Sequence, residues 1–117
     1  MAIESALFVG WNRAISGKEA DALELFGSAL AWFGKLQSQG QIASFETTLL
    51  EAHGGDLNGF ILIKGEVAKL QAVKQMEEWK DLIAKSTWTM QNFGVNHAVV
   101  GDGVTKELAR FQKLVTR

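Results

Sequence analysis

The sequence contains the apolar run Ala6-Leu7-Phe8-Val9-Gly10-Trp11-Asn12 near its start and a second run, Phe60-Ile61-Leu62-Ile63-Lys64, near its middle. Both runs are short and rich in β-branched and aromatic residues, which predicts strands. Alternate positions on both sides of each run are apolar, whereas a strand with one face in water alternates apolar with polar residues. We therefore expect the two strands at the centre of a sheet that is covered on both faces.

Two further strands are predicted at 42–50 and 94–100, where β-branched and aromatic residues are again frequent. The strands at 42–50 and 60–64 are separated by a glycine-rich segment and form a predicted hairpin. All four strands belong to one sheet if the intervening segments are helical.

The segments between the strands show helical periodicity. A helix is predicted over 17–38, with Ser16-Gly17-Lys18-Glu19 at the spacing of a capping box. A phase shift of the apolar positions predicts two helices, 66–75 and 77–85, with a bend between them. The chain ends with a helix that Asp102 caps, and its apolar stripe has 4-3-4 spacing: Val104, Leu108, Phe111 and Val115.

The first helix is apolar over about half of its circumference, which is more than one sheet face requires. Leu25 and Trp32 lie at the edge of this arc and predict a second contact surface. Gly27 and Gly34 are one heptad apart, and we expect them to allow close packing of another element.

The order of elements is β-α-β-β-α-β followed by a helix, which predicts an α+β, ferredoxin-like fold with a split second helix. Helices then cover one face of an antiparallel sheet, with the first and third strands central. No remaining element covers the other apolar face fully. A second copy is the simplest cover, because a two-fold contact is self-complementary. We predict a homodimer through the sheet face.

Composition limits the class of protein. The chain has 117 residues, 47% apolar, with a formal net charge of −1, no Cys and two His. This length suits one domain, 1–117. The lack of Cys excludes disulfides and thiolate metal sites, and no metal site or cofactor is predicted. A balanced charge argues against a nucleic-acid partner, and no apolar run approaches the roughly 20 residues that span a bilayer. We therefore predict a cytoplasmic protein with no nucleic-acid or membrane partner.

Several stretches resemble a group of small uncharacterised bacterial proteins within the dimeric α+β barrel superfamily. They are Gly40-Gln41-Ile42-Ala43-Ser44-Phe45-Glu46, Leu49-Leu50-Glu51-Ala52-His53-Gly54-Gly55-Asp56-Leu57-Asn58-Gly59-Phe60, Met76-Glu77-Glu78-Trp79 and Gly94-Val95. The resemblance covers nearly the whole chain and implies that two subunits press their sheets together. The superfamily includes cofactor-free monooxygenases, haem-degrading enzymes, dehydratases and stress-responsive proteins, so the resemblance implies no single activity.

The loop after the second strand contains the most distinctive polar cluster, His53-Gly54-Gly55-Asp56. A histidine beside two glycines can approach a ligand closely, with Asp56 orienting the ring or serving as a carboxylate. The structural alternative is a hairpin loop in which Asp56 caps the turn and His53 binds backbone. Both interpretations stay open at this point.

His97 lies within the fourth predicted strand and shares a face with Val95 and Val99, so we expect it to be buried or to face a cavity. On the helix-free face it would line the barrel interior and serve as a general base. The end of the first strand offers three ligand-binding candidates: Trp11 as an aromatic wall, Asn12 as a hydrogen-bonding amide and Arg13 as a carboxylate anchor.

Two hypotheses about function follow. The first is a homodimer that binds a small aromatic or carbonyl-containing molecule and acts on it by acid/base chemistry, with His53 and His97 as catalytic residues. The second is a non-catalytic module for ligand sensing or oligomer assembly. An open pocket that reaches either histidine favours the first hypothesis. A filled sheet interface with both histidines bound to backbone favours the second.

Overall fold

A computed structural model describes residues 2–116 and contains, within them, four strands and four helices. The strands are β1 (Ser5–Trp11), β2 (Ser44–Leu49), β3 (Gly59–Gly65) and β4 (Gly94–Val99). The helices are α1 (Glu19–Ser38), α2 (Val67–Lys74), α3 (Glu77–Thr89) and α4 (Asp102–Val115). The order confirms the predicted βαββαβ arrangement with a divided second helix and an additional helix after β4.

The strands form one antiparallel sheet in the order β2-β3-β1-β4, so β1 and β3 are central as predicted. This is the strand order of an α+β, ferredoxin-like fold. In the register, Leu7 pairs with Ile63 on one side and with His97 on the other. Paired residues share a face of the sheet, so these three side chains belong to the same face.

The hydrophobic core lies between one face of the sheet and helices α1, α2 and α3. Phe33, Leu70 and Val73 are each at most 1% exposed, and burial of such a side chain contributes about 1.5 to 3 kcal/mol. From the strands, the core takes alternate residues of β1 and β3: Leu7, Val9, Ile61 and Ile63. We call this side of the sheet the helix face.

The opposite side, which we call the open face, is also apolar at its centre. Phe8 of β1 stacks on Phe60 of β3, with ring centroids 5.0 Å apart and an interplanar angle of 27°. Leu62 lies on the same side and is partly exposed. The buried apolar side chains of α1, α2 and α3 belong to the core on the helix face. The prediction that both faces of the central strands are apolar is therefore confirmed.

Leu25 and Trp32, at the edge of the wide apolar arc of α1, are partly buried and line a shallow groove together with Leu82 of α3. A second contact surface at this groove stays a prediction. The predicted role of the two α1 glycines is wrong, because a Cβ atom at Gly27 or at Gly34 would meet nothing within 4 Å. No neighbouring element among residues 2–116 approaches these positions closely.

The predicted helix caps also differ from the structure. Helix α1 begins at Glu19 without a side-chain cap, and the Glu19 Oε1 atom accepts a hydrogen bond from the Gly17 amide at 3.0 Å. Helix α4 includes Asp102 as its first residue, and its N-cap is Gly101. Gly101 has φ of +55°, a left-handed conformation that glycine adopts without the steric penalty of a side chain.

Helix α4 extends away from the rest of the subunit. Every residue from 104 to 116 is exposed, and the subunit measures 54 × 37 × 22 Å. Across residues 2–116, no helix combines the length and the apolar character needed to cross a bilayer.

Candidate functional site

An open cleft of about 330 Å³ lies between α1, α3 and the sheet, at the end where β1 finishes. This volume falls at the lower end of the range found for small-molecule sites, roughly 300 to 1,000 Å³. Apolar side chains from α1, α3, the sheet and the segment between α3 and β4 form most of its wall: Val9, Trp11, Leu23, Phe26, Phe33, Leu49, Ile61, Trp79, Leu82, Ile83, Met90 and Phe93.

The indole of Trp11 is held in the cleft by two neighbours. Phe26 of α1 packs edge-on against it, with ring centroids 5.9 Å apart and an interplanar angle of 73°. Gly59 is the β3 residue paired with Trp11, and a Cβ atom there would lie 2.7 Å from the Trp11 Cζ2 atom. The ring therefore occupies space that only a glycine leaves open.

Three polar side chains also line the cleft: Arg13, Glu19 and Ser86. Ser86 is buried, whereas Arg13 and Glu19 are exposed. The backbone at Arg13 is fixed, because its carbonyl oxygen accepts a hydrogen bond from the Gln91 amide at 2.7 Å. Within residues 2–116 the Arg13 guanidinium forms no ion pair. A guanidinium in this position offers several donors that fit a carboxylate.

The structure brings together two of the four predicted ligand-binding residues, Trp11 and Arg13. Asn12 does not line the cleft, and its Oδ1 atom accepts a hydrogen bond from the Asn58 side-chain amide. Asp56 is exposed in the loop between β2 and β3 and is also outside the cleft lining.

His53 is exposed in the same loop and is also absent from the cleft lining. Its Nδ1 atom donates a hydrogen bond to the Glu51 carbonyl oxygen at 2.8 Å. The ring lies against Gly55, where a Cβ atom would be 2.6 Å from the His53 Nε2 atom. This backbone hydrogen bond matches the structural alternative for the loop.

His97 is exposed, so the expectation that it is buried or faces a cavity is wrong. The register places its side chain on the helix face, opposite Leu7, and not on the open face that would line a barrel interior. Its Nε2 atom lies 3.2 Å from the Ser5 hydroxyl oxygen, and it is absent from the cleft lining. β4 is an edge strand, and sequence alternation alone does not show that an edge position is left uncovered.

Sequence reasoning missed the helical half of the cleft. Phe26, Leu82 and Ile83 are apolar helix positions, and their spacing is equally typical of a filled core. The only signal was the unusually wide apolar arc of α1. Among the described residues, no group of three or more His, Asp or Glu side chains is placed to hold a metal ion.

No protein-family model and no curated protein matches this sequence. Solved structures do match its fold. A dimeric protein of unknown function with a ferredoxin-like fold from Bacteroides fragilis has a TM-score of 0.61 at 11% identity, covering 83% of this chain and 96% of its own. A dimeric ferredoxin-like protein of unknown function from Thermobifida fusca has a TM-score of 0.62 at 9% identity, covering 83% and 92%.

A third match is a protein of unknown function from Nitrosomonas europaea, with a TM-score of 0.58 at 19% identity, covering 84% of this chain and 89% of its own. The chain shares the ferredoxin-like fold that the Bacteroides fragilis and Thermobifida fusca proteins are described as having. This agrees with the resemblance to small uncharacterised bacterial proteins in the sequence. At such low sequence identity, the similarity shows that the folds are alike and says nothing about function.

Proposed function

We propose that the chain is a homodimeric binding protein for a small apolar molecule that carries a carboxylate. The observation that carries this proposal is the cleft between α1 and α3, which has an apolar wall and, among its few polar groups, an Arg13 guanidinium that forms no ion pair with any residue from 2 to 116. Sites for small molecules combine these properties: a mostly apolar surface gives affinity, and a few polar groups set orientation.

The chemistry of the lining favours an aromatic ligand. Trp11 and Phe26 both line the cleft, and aromatic side chains favour contact with a flat aromatic body. Arg13 then binds the carboxylate, and the buried Ser86 hydroxyl is available for a carbonyl or hydroxyl group of the ligand.

Acid/base catalysis by His53 and His97 has less support than binding. Neither ring lines the cleft, and each is within hydrogen-bond distance of a protein atom, the Glu51 carbonyl oxygen or the Ser5 hydroxyl. A general base must reach the proton that it removes, directly or through one water. Catalysis by either histidine stays a prediction, and the proposed function is binding.

The homodimer is proposed from the open face. Its stacked Phe8 and Phe60 form an apolar centre on a side of the sheet that α1, α2 and α3 do not cover. Two of the similar structures are described as dimeric. Contact between two open faces would bury this apolar surface under two-fold symmetry.

Isothermal titration calorimetry with a matched pair of probes, naphthoate and naphthamide, tests the binding site. The two probes share one ring system, and only naphthoate carries a charge. Both should bind the wild-type chain. Arg13→Ala should raise the Kd of naphthoate about tenfold, the effect of losing one charge-assisted hydrogen bond, while the Kd of naphthamide stays within about twofold.

Ala22→Trp provides the second arm, because Ala22 lines the cleft and a tryptophan there fills it. This variant should lose both probes. Glu24→Trp is the matched control on an exposed position of the same helix and should bind as wild type. Equal naphthoate affinity in Arg13→Ala and wild type, or unchanged binding in Ala22→Trp, would contradict the proposal. Binding of neither probe by the wild-type dimer would instead favour the assembly module.

A further inference from the structure

Helix α4 has an apolar stripe that its own subunit leaves in water. Leu108 is 63% exposed, Phe111 is 65% exposed and Val115 is 60% exposed, and Val104 of the same stripe is 41% exposed. The helix has 14 residues, and an isolated helix of this length is only marginally stable in water. Burial of the stripe against another surface is the usual source of stability for an amphipathic helix.

The first turn of α4 fixes the direction of the helix. Gly103 packs so closely that a Cβ atom there would lie 2.6 Å from the Glu4 carbonyl oxygen. Lys106 forms an ion pair with the Glu4 carboxylate, with Nζ to oxygen distances of 2.8 Å and 3.0 Å. The hydrogen bond and the charge of Glu4 also raise the pKa of Lys106 above the ordinary lysine value of 10.5.

The stripe does not face the subunit to which the helix is fastened. At about 100° per residue, the stripe is centred about 100° around the helix axis from Gly103. The radius of gyration is 15.9 Å, whereas a compact chain of this length has about 13 Å. The apolar side of the helix therefore faces solvent and not the rest of its own subunit.

We infer that α4 docks onto a second copy of this chain, with Leu108, Phe111 and Val115 buried against the partner subunit. This inference rests on the proposed homodimer and adds a second contact to it. The same chain carries two uncovered apolar surfaces, the open face and the α4 stripe. A two-fold dimer lets each copy offer its helix and receive the other, so both surfaces are covered by one symmetric assembly.

A lipid surface is the competing occupant, because the other side of α4 carries Lys106, Arg110 and Lys113. Two of these charges already face carboxylates: Lys106 pairs with Glu4, and the Arg110 Nε atom lies 4.0 Å from Glu107. The chain has a formal net charge of −1. Attraction to an anionic bilayer is therefore weak, and the observations favour a second copy.

The first test compares dimer dissociation constants by sedimentation equilibrium for the full chain. The double variant Leu108→Glu with Phe111→Glu should weaken the dimer roughly 30-fold or more, as expected for buried anchor residues. The control is Ala109→Glu with Lys113→Glu, two exposed positions on the side of the helix away from the stripe, and its dissociation constant should stay within about threefold of wild type. An unchanged dimer in the stripe variant overturns the inference, and a monomeric wild-type chain overturns it together with the proposed homodimer.

A second test locates α4 in the assembled dimer directly. The chain has no Cys, so Phe111→Cys provides a single attachment point for a benzophenone maleimide crosslinker. In a mixture of isotope-labelled and unlabelled copies, crosslinks should join copies of different mass. Crosslinks only within one copy, or none, overturn the inference. Phosphatidylserine vesicles are the lipid probe: vesicle binding that the stripe variant loses while its dimer stays intact would assign α4 to a membrane surface instead.

Discussion

Gly59 and Trp11 form a cross-strand pair. Gly59 has no side chain, and the indole of Trp11 occupies the space that a side chain there would need. The indole lies over the glycine, and the Leu49 Cδ2 atom comes within 3.0 Å of the place where a Cβ would stand. The same indole forms part of the cleft wall. A change at Gly59 should therefore affect the stability of the sheet and the shape of the cleft together.

We predict that Gly59→Ala lowers the free energy of unfolding by about 1 to 3 kcal/mol, the range for overpacking a filled site. Urea denaturation measures this change. The displaced indole should also weaken the binding of both probes, naphthoate and naphthamide, by a similar factor, because the charge of Arg13 is untouched.

Gly94→Ala is the matched control for this substitution. Gly94 is the first residue of β4, and a Cβ atom there meets nothing within 4 Å. This variant should keep the stability and the probe affinity of the wild-type chain. Equal behaviour of the two alanine variants would show that Trp11 does not depend on the space above Gly59.

Helix α1 contains two glycines that its packing does not require. Gly27 and Gly34 lie within a 20-residue helix and have no close neighbour among the described residues, 2–116. Glycine in a helix costs about 1 kcal/mol relative to alanine, because its backbone loses more freedom on folding. Since no neighbour uses the space, nothing offsets this cost.

We predict that Gly27→Ala and Gly34→Ala each raise the free energy of unfolding by about 1 kcal/mol, and that the double variant raises it by about 2 kcal/mol. Urea denaturation of the three variants measures each free energy of unfolding and shows whether the two single effects add in the double variant. A loss of stability at either position would mean that another chain packs there in the assembled protein.

The order of the helices and strands was largely predictable from the sequence, whereas the residues that cap the helices were not. The apolar runs of β1 and β3 and the phase shift between α2 and α3 are visible in the residue order. The caps failed because Ser16 and Asp102 have the right spacing, but the chain enters each helix by another path. Of the four predicted ligand-binding residues, only Trp11 and Arg13 line the cleft, because the cleft depends on the distance between α1 and α3, which the spacing of apolar residues does not show.

At the scale of the whole molecule, the open face of the sheet is exposed to solvent in a monomer. Phe8 lies at the centre of this face and stacks on Phe60. If two open faces meet, a charge at Phe8 is buried in the interface without a partner, which is strongly unfavourable. If the open face stays in water, the same charge is well tolerated.

We predict that Phe8→Glu weakens the dimer roughly 30-fold or more and leaves the monomer folded by circular dichroism. Light scattering at micromolar concentration measures the molar mass. Trp88→Glu is the control, since Trp88 is a large apolar residue of α3 that is already 78% exposed. A dimer that survives Phe8→Glu would move the interface away from the open face, and α4 would then carry the assembly alone.

The cleft and the attachment point of α4 lie at opposite ends of β1. Trp11, at the end of β1, lies in the cleft, while Glu4, just before its first residue, fastens α4. Seven residues of strand place these sites roughly 20 Å apart. The coupling free energy between ligand binding and the docking of α4 should then be small, and by linkage this holds in both directions. The double variant Leu108→Glu with Phe111→Glu should therefore keep the naphthoate affinity of the wild-type chain.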